Sequence, residues 1–184
     1  MPLPYGQVMP PLEPTGPDLE GVIADANAVG LPYVVIGGFS VIFHGYIRAT
    51  KDSDLLVPDG SDADEVVLRF LGRTNARRLR DEKVLTLEDI AEAEHLRVFT
   101  RHGIVDILRG GLPPLDYDTV SKRAASLEVG GQRGPVADLS SLVGFKRLAD
   151  RPTDRIDLLK LEDLYGELPV EPIPGVDARA AGET

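Results

Sequence analysis

The chain has 184 residues, of which 42% are hydrophobic and 27% charged, with a formal net charge of −10. That length allows one domain with a real core and a small helical appendage, and a uniformly acidic surface would repel nucleic acid. The absence of cysteine excludes a disulfide framework, a thiolate metal site and a cysteine nucleophile, and fits a reducing cytoplasm.

Residues 1–17 hold six prolines and no basic stretch, which reads as an extended arm rather than a secretory signal. No apolar run approaches the roughly 20 residues of a membrane span. Asp18 is placed to cap a helix through Ala28, stopped by Gly30 and Pro32. Tyr33 to Ile36 is a short apolar run suited to a buried strand, broken by Gly37-Gly38. Phe39 to Tyr46 has helical spacing, and Lys51 to Val57 reads as a second strand ended by Pro58-Asp59-Gly60. A helix opens at Asp62 or Asp64 and runs to about Leu71. His95–Thr100 and Ile104–Leu108 flank Arg101-His102-Gly103 as a hairpin. Leu127–Val129 and Pro135–Ala137 form another. Asp138 caps a helix to Ala149, and Pro152 starts a last helix to about Tyr165. The order predicts a mixed sheet with helices packed on it. The boundaries are an arm over 1–17, a core over 18–137, helices over 138–165 that complete the site, and an irregular tail over 166–184 that buries little.

Chemistry concentrates in a few places. Strand residues two apart share a face, so Asp52 and Asp54 project side by side. Two such carboxylates need neutralising, by Mg²⁺ or Mn²⁺, or by Lys51 or Arg48, unless the strand is an exposed edge. Asp106 lies inside the apolar run Gly103-Ile-Val-Asp-Ile-Leu108. There it is a third carboxylate for a metal site, or a strand-end group reaching solvent or Arg109. Gly37 and Gly38, with Ser40 in the following turn, suit close approach of a triphosphate, or simply a tight turn. Lys146, Arg147, Arg151, Asp154, Arg155 and Asp157 form a charged helix pair. In it Lys146 and Arg151 are candidates for phosphate, and the aspartates for orienting the basic residues. Arg69, Arg73, Arg77, Arg78 and Arg80 are either a solvated face or a patch for RNA. His44, His95 and His102 have no metal-ligand spacing, and His44 reads as packing or a pocket contact.

These pieces together resemble the DNA polymerase β-like nucleotidyltransferase superfamily. The pattern is Val34-Val-Ile-Gly-Gly-Phe-Ser40, then Arg48-Ala-Thr-Lys-Asp-Ser-Asp-Leu-Leu-Val57, then Val105-Asp106-Ile107. The nearest branch is the AbiEii-type and MenT-type nucleotidyltransferase toxins of toxin–antitoxin pairs. Its His-Gly-x-x-Arg-x-Thr-x-Asp-x-Asp run is matched by His44-Gly45, Arg48, Thr50, Asp52 and Asp54. Its C-terminal run is matched by Lys146, Ala149, Arg151, Asp154 and Asp157-Leu158. The likeness spans roughly residues 30 to 165. It implies an α/β (α+β) mixed-sheet polymerase β-like fold with a short C-terminal helical part. It further implies that Asp52, Asp54 and Asp106 hold Mg²⁺ or Mn²⁺, with Gly37, Gly38, Ser40, Arg48, Lys146 and Arg151 around the NTP. The implied acceptor is the 3′ end of tRNA, whose modification blocks aminoacylation and translation. The implied partner is a cognate antitoxin protein, in some members a kinase, whose target here would be Thr50. Two positions depart from the pattern: Ser53 replaces an aliphatic residue, implying a less firmly buried reverse face, and the helical part after Asp157 is short. The alternatives are transfer to a protein hydroxyl, as in AMPylating antitoxins, and a non-catalytic protein-binding module.

Overall fold

A computed structural model describes residues 16–177, so most of the Pro-rich arm and the end of the tail lie outside the described residues. The chain runs α1 (Leu19–Val29), β1 (Val34–Ile36), α2 (Gly37–Phe43), β2 (Asp52–Val57), α3 (Ser61–Arg73) and β3 (Arg77–Arg78). It continues through α4 (Leu87–Ala91), β4 (His95–Thr100), β5 (Gly103–Arg109), α5 (Tyr117–Arg123), β6 (Ala125–Val129) and β7 (Gln132–Val136). Helices α6 (Leu139–Ala149) and α7 (Pro152–Tyr165) follow. The strands form one mixed seven-stranded sheet in the order β3-β4-β5-β2-β1-β7-β6. Strand β2 is antiparallel to β1 and parallel to β5.

Alternation along the central strands sorts the two faces. Val35, Leu55, Val57, Val105 and Ile107 point into the main core, against Val22 and Ile23 of α1, Phe70 of α3 and Ile90 of α4. Val34, Ile36 and Leu56 point the other way, towards Val120 of α5 and Phe145 of α6. Asp52 and Asp54, at the start of β2, and Asp106, midway along β5, lie on this second face. Each fully buried aliphatic side chain contributes roughly 1.5–3 kcal/mol, so the first core anchors the strands that carry the acids.

Local signals explain the helix ends. Asp18 accepts from Gly21 N, and Gly30 closes α1 in the left-handed region at φ 68°. Asp138 accepts from Ser141 N, and Pro152 stands in the first turn of α7. Three elements were not expected from sequence: the edge strand β3 and the short helices α4 and α5. Helix α2 also starts at Gly37 rather than Phe39, with Gly37 itself in the left-handed region. Ser53 is fully buried, which corrects the expectation of a looser reverse face. Residues 166–177 are not an idle tail. Ile173 is buried, Glu171 meets Arg123, and Asp177 meets Arg147. Among the described residues, no helix is long and apolar enough to cross a membrane.

Candidate active site

The register of β2 and β5 sets Asp54 opposite Asp106, and that of β1 and β2 sets Ile36 opposite Asp54. Asp52, Asp54 and Asp106 each offer a carboxylate oxygen, and these oxygens lie within 4.8 Å of one another. The turn from β1 into α2 closes over this group. Gly37 has φ 64°, and a Cβ there would fall 2.0 Å from Asp54 Oδ2. A Cβ on Gly38 would fall 2.4 Å from Thr50 Oγ1. Glycine is therefore required at both positions by the protein's own side chains, before any ligand is considered. The Gly38 N–H points to Asp54 Oδ2 at 3.4 Å.

A cavity of about 320 Å³ opens beside the acids, lined in part by Gly37, Asp54, Asp106, Phe145, Lys146 and Arg151. Beneath it lies a buried ionic cluster. Lys146 Nζ sits 2.7 Å from Asp154 Oδ1 and 2.8 Å from Asp157 Oδ2. Arg48 grips both oxygens of Asp157, at 2.7 and 2.8 Å. Arg151 Nε reaches Asp154 Oδ2 at 2.6 Å. Burial opposes ionisation of Asp154, but Arg151 and Lys146 together hold its carboxyl below the usual range.

The structure redistributes several expected ligands. Ser40 is fully buried and donates to the Ala137 carbonyl at 3.4 Å, away from the cavity. Because α2 begins at Gly37, Ser40 is carried round to the β7 side. Arg48 is committed to Asp157, so it braces α7 against the β2 approach rather than facing the cavity. Thr50 is half-buried, donating to the Asp52 carbonyl at 3.2 Å. His44 is a packing residue, its Nε2 2.9 Å from the Ala137 carbonyl. The five arginines are divided among a helix, an edge strand and a turn. Arg69 and Arg73 sit on α3, and Arg73 pairs with Asp25 at 2.7 Å. Arg77 and Arg78 lie on the outermost strand, and Arg78 pairs with Asp81 and Asp89. Arg80 is exposed, 3.8 Å from Asp81.

Two site residues were missed from sequence. Arg97 reaches Asp52 Oδ2 at 3.0 Å and contacts Asp106 with its other nitrogen. His95 Nε2 lies 3.1 Å from Asp106 Oδ1. Arg109, the expected alternative partner of Asp106, instead meets Asp64 and the carbonyls of Ile90 and Ala93. The signal was present. A tight turn at Arg101-His102 pairs Thr100 with Gly103, and counting back along the ladder brings Arg97 opposite Asp106.

The acid cluster is electrostatically loaded. Burial, then the charges of Asp52 and Asp106, push Asp54 up to about 6. Burial also raises Asp106, against the opposing pull of Arg97 and His95. A raised carboxylate pKa means the folded protein holds the proton more tightly than the unfolded chain. Asp54 therefore favours folding fully below its unfolded value near 3.8, and that contribution is lost as pH rises through about 6. A hard divalent cation needs the ionised form and reverses the trend. The stabilisation added by Mg²⁺ is expected to be small below about pH 5 and complete above about pH 7. Thermal melts with Mg²⁺ and with chelator across that range check this. A pH-independent gap between the two curves would sink it.

No protein-family model matches the chain, and no curated protein matches it in sequence. Several solved structures match in shape. The structure of ANT(2″)-Ia with adenylyl-2″-tobramycin aligns with a TM-score of 0.52 at 14% identity, over 78% of this chain and 84% of that one. An antigenic nucleotidyltransferase-like protein from Paracoccidioides brasiliensis gives 0.53 at 15% identity, over 78% and 73%. A Thermotoga maritima protein with a provisional nucleotidyltransferase assignment gives 0.52 at 15%, over 79% and 90%. At such identities the likeness is one of architecture: the chain has the mixed α/β fold of nucleotidyltransferases.

Proposed function

We propose that the chain is a Mg²⁺-dependent nucleotidyltransferase that moves a nucleoside monophosphate from an NTP onto an acceptor hydroxyl. The observation that carries this is the convergence of Asp52, Asp54 and Asp106 beside a cavity lined by Lys146 and Arg151. All the donors are carboxylate oxygens, which suits Mg²⁺ or Mn²⁺ and not a soft metal. Bound there, the cation would neutralise charge on the transferring phosphoryl group. Lys146 has three N–H donors, two of them held by Asp154 and Asp157, so one remains for a phosphate oxygen. Arg151, at the rim, can turn from Asp154 towards the same group. Asp106, or a water held by the cation, takes the proton from the acceptor hydroxyl, since this carboxylate lies beside both the cation site and the cavity. The acceptor oxygen then bonds to the α-phosphorus as the bond to pyrophosphate breaks.

The finer reading is transfer to the 3′ end of tRNA by a toxin, with a cognate antitoxin kinase silencing it at Thr50. The ordered run from His44 to Asp54 and the later run from Lys146 to Asp157 support it. A phosphate on Thr50 would add negative charge against Gly38 and Asp52, obstructing both cation and triphosphate. Incubation with each labelled NTP, Mg²⁺ and total tRNA is expected to label RNA at its 3′ end, and Asp52→Ala to remove the signal. Label on a co-expressed protein, or on a small hydroxyl compound such as the tobramycin of the ANT(2″)-Ia complex, would keep the transferase and replace the acceptor. Failure to label any acceptor with any NTP overturns the whole assignment.

A further inference from the structure

The least ordinary feature of the acid cluster is the cation already among it. Arg97 Nη2 lies 3.0 Å from Asp52 Oδ2 while Nη1 contacts Asp106. The two carboxylates come from different strands, and the guanidinium that bridges them comes from a third, β4. Left alone, three carboxylates with oxygens within 4.8 Å would repel strongly. Arg97 is not locked in by packing, since its side chain is 42% exposed. It also lines a second cavity, of about 370 Å³, shared with Arg78, Leu79, Arg80 and His95. The two cavities meet at His95.

We propose that Arg97 is the resident counter-ion of the metal-free site and a direct competitor of the divalent cation. The proposal rests on the metal-binding role proposed for the three aspartates. Asp52 Oδ2 and its Asp106 counterpart cannot serve both cations fully, and a guanidinium beside a divalent ion is repelled by it. Metal loading therefore requires Arg97 to release Asp52 and Asp106 and swing into the second cavity, which has room for it. The site's metal affinity is lower than its carboxylates alone would give. Loading also turns the Arg97 head group wholly towards the cavity that it already lines with Arg78 and Arg80.

The test uses the full chain, Mn²⁺ as the probe, and three proteins: wild type, Arg97→Met and Arg97→Lys. Free Mn²⁺ is followed by electron paramagnetic resonance at low salt, with calorimetry as a second readout. Arg97→Met is expected to bind Mn²⁺ about tenfold more tightly, because repulsion and competition are both removed. Arg97→Lys should fall between, since an ammonium cannot fork across two carboxylates. In chelator Arg97→Met should melt lower than wild type, and added Mn²⁺ should restore it. A merely structural arginine would weaken metal binding on removal, the opposite sign. Equal or weaker Mn²⁺ binding by a cooperatively melting Arg97→Met protein overturns the proposal. Should that variant not fold, Arg97→Lys takes its place, and equal or weaker Mn²⁺ binding by it overturns the proposal in the same way. If wild type and variants all fail to bind Mn²⁺, the metal site itself is wrong, and the competition falls with it.

Discussion

Asp54→Asn is expected to lower nucleotidyl transfer by at least about 10³-fold, a loss of roughly 4 kcal/mol of transition-state stabilisation, while raising metal-free stability above about pH 6. The two effects have one cause. Asp54 is the central acid, pressed by burial and by two neighbouring charges, and its pKa stands at about 6. An amide of the same shape still accepts the Gly38 N–H through its oxygen, so the turn into α2 is kept. It carries no charge, so the repulsion from Asp52 and Asp106 disappears. The same change removes an anionic ligand from the proposed metal site. Activity is read as label transferred per enzyme in a single turnover, and stability as a melt in chelator at pH 7.5. A variant with activity within tenfold of wild type would show that Asp54 holds no essential cation. A variant that melts well below wild type in chelator would show that the acid cluster is not under strain.

The sequence carried the skeleton of this site because strand periodicity is local. Asp52 and Asp54 had to share a face once Lys51 to Val57 was read as a strand, and Asp106 stood out as a carboxylate within aliphatic neighbours. Glycines at 37 and 38 were legible as a close approach, although the approaching groups proved to be Asp54 and Thr50. Partner choice was not legible where it depends on tertiary distance. Arg48 and Asp157 are 109 residues apart, and only the return of α7 to the segment before β2 joins them. Ser40 failed for a smaller reason: starting α2 two residues earlier turns its hydroxyl to the β7 side. The five arginines are neighbours in sequence but are divided among a helix, an edge strand and a turn, which no local signal announced. Arg97 and His95 were recoverable from the hairpin register, but a basic residue on the polar face of a strand carries no local mark of its partner.

Lys146→Met is expected to destabilise the fold by about 3 kcal/mol and lower the melting temperature by roughly 6–12 °C. Lys146, Asp154 and Asp157 have side chains only 4%, 1% and 1% exposed. Removing the ammonium leaves two buried carboxylates short of a partner, and that penalty exceeds the gain from an apolar stem. The cost is held to the lower end of the usual range because Arg48 stays on Asp157 and Arg151 on Asp154. Structural and catalytic roles separate in the double variant Lys146→Met/Asp154→Asn. Neutralising Asp154 removes an orphaned charge, so stability should recover by about half, or on the order of 1–2 kcal/mol. Triphosphate affinity should not recover, since the third N–H of Lys146 remains missing. Calorimetry of Mg²⁺-NTP binding on a stability-restored double variant therefore isolates the contact that the single variant confounds. Wild-type NTP affinity in that protein would make Lys146 a structural strut and leave Arg151 as the cavity's phosphate-facing cation.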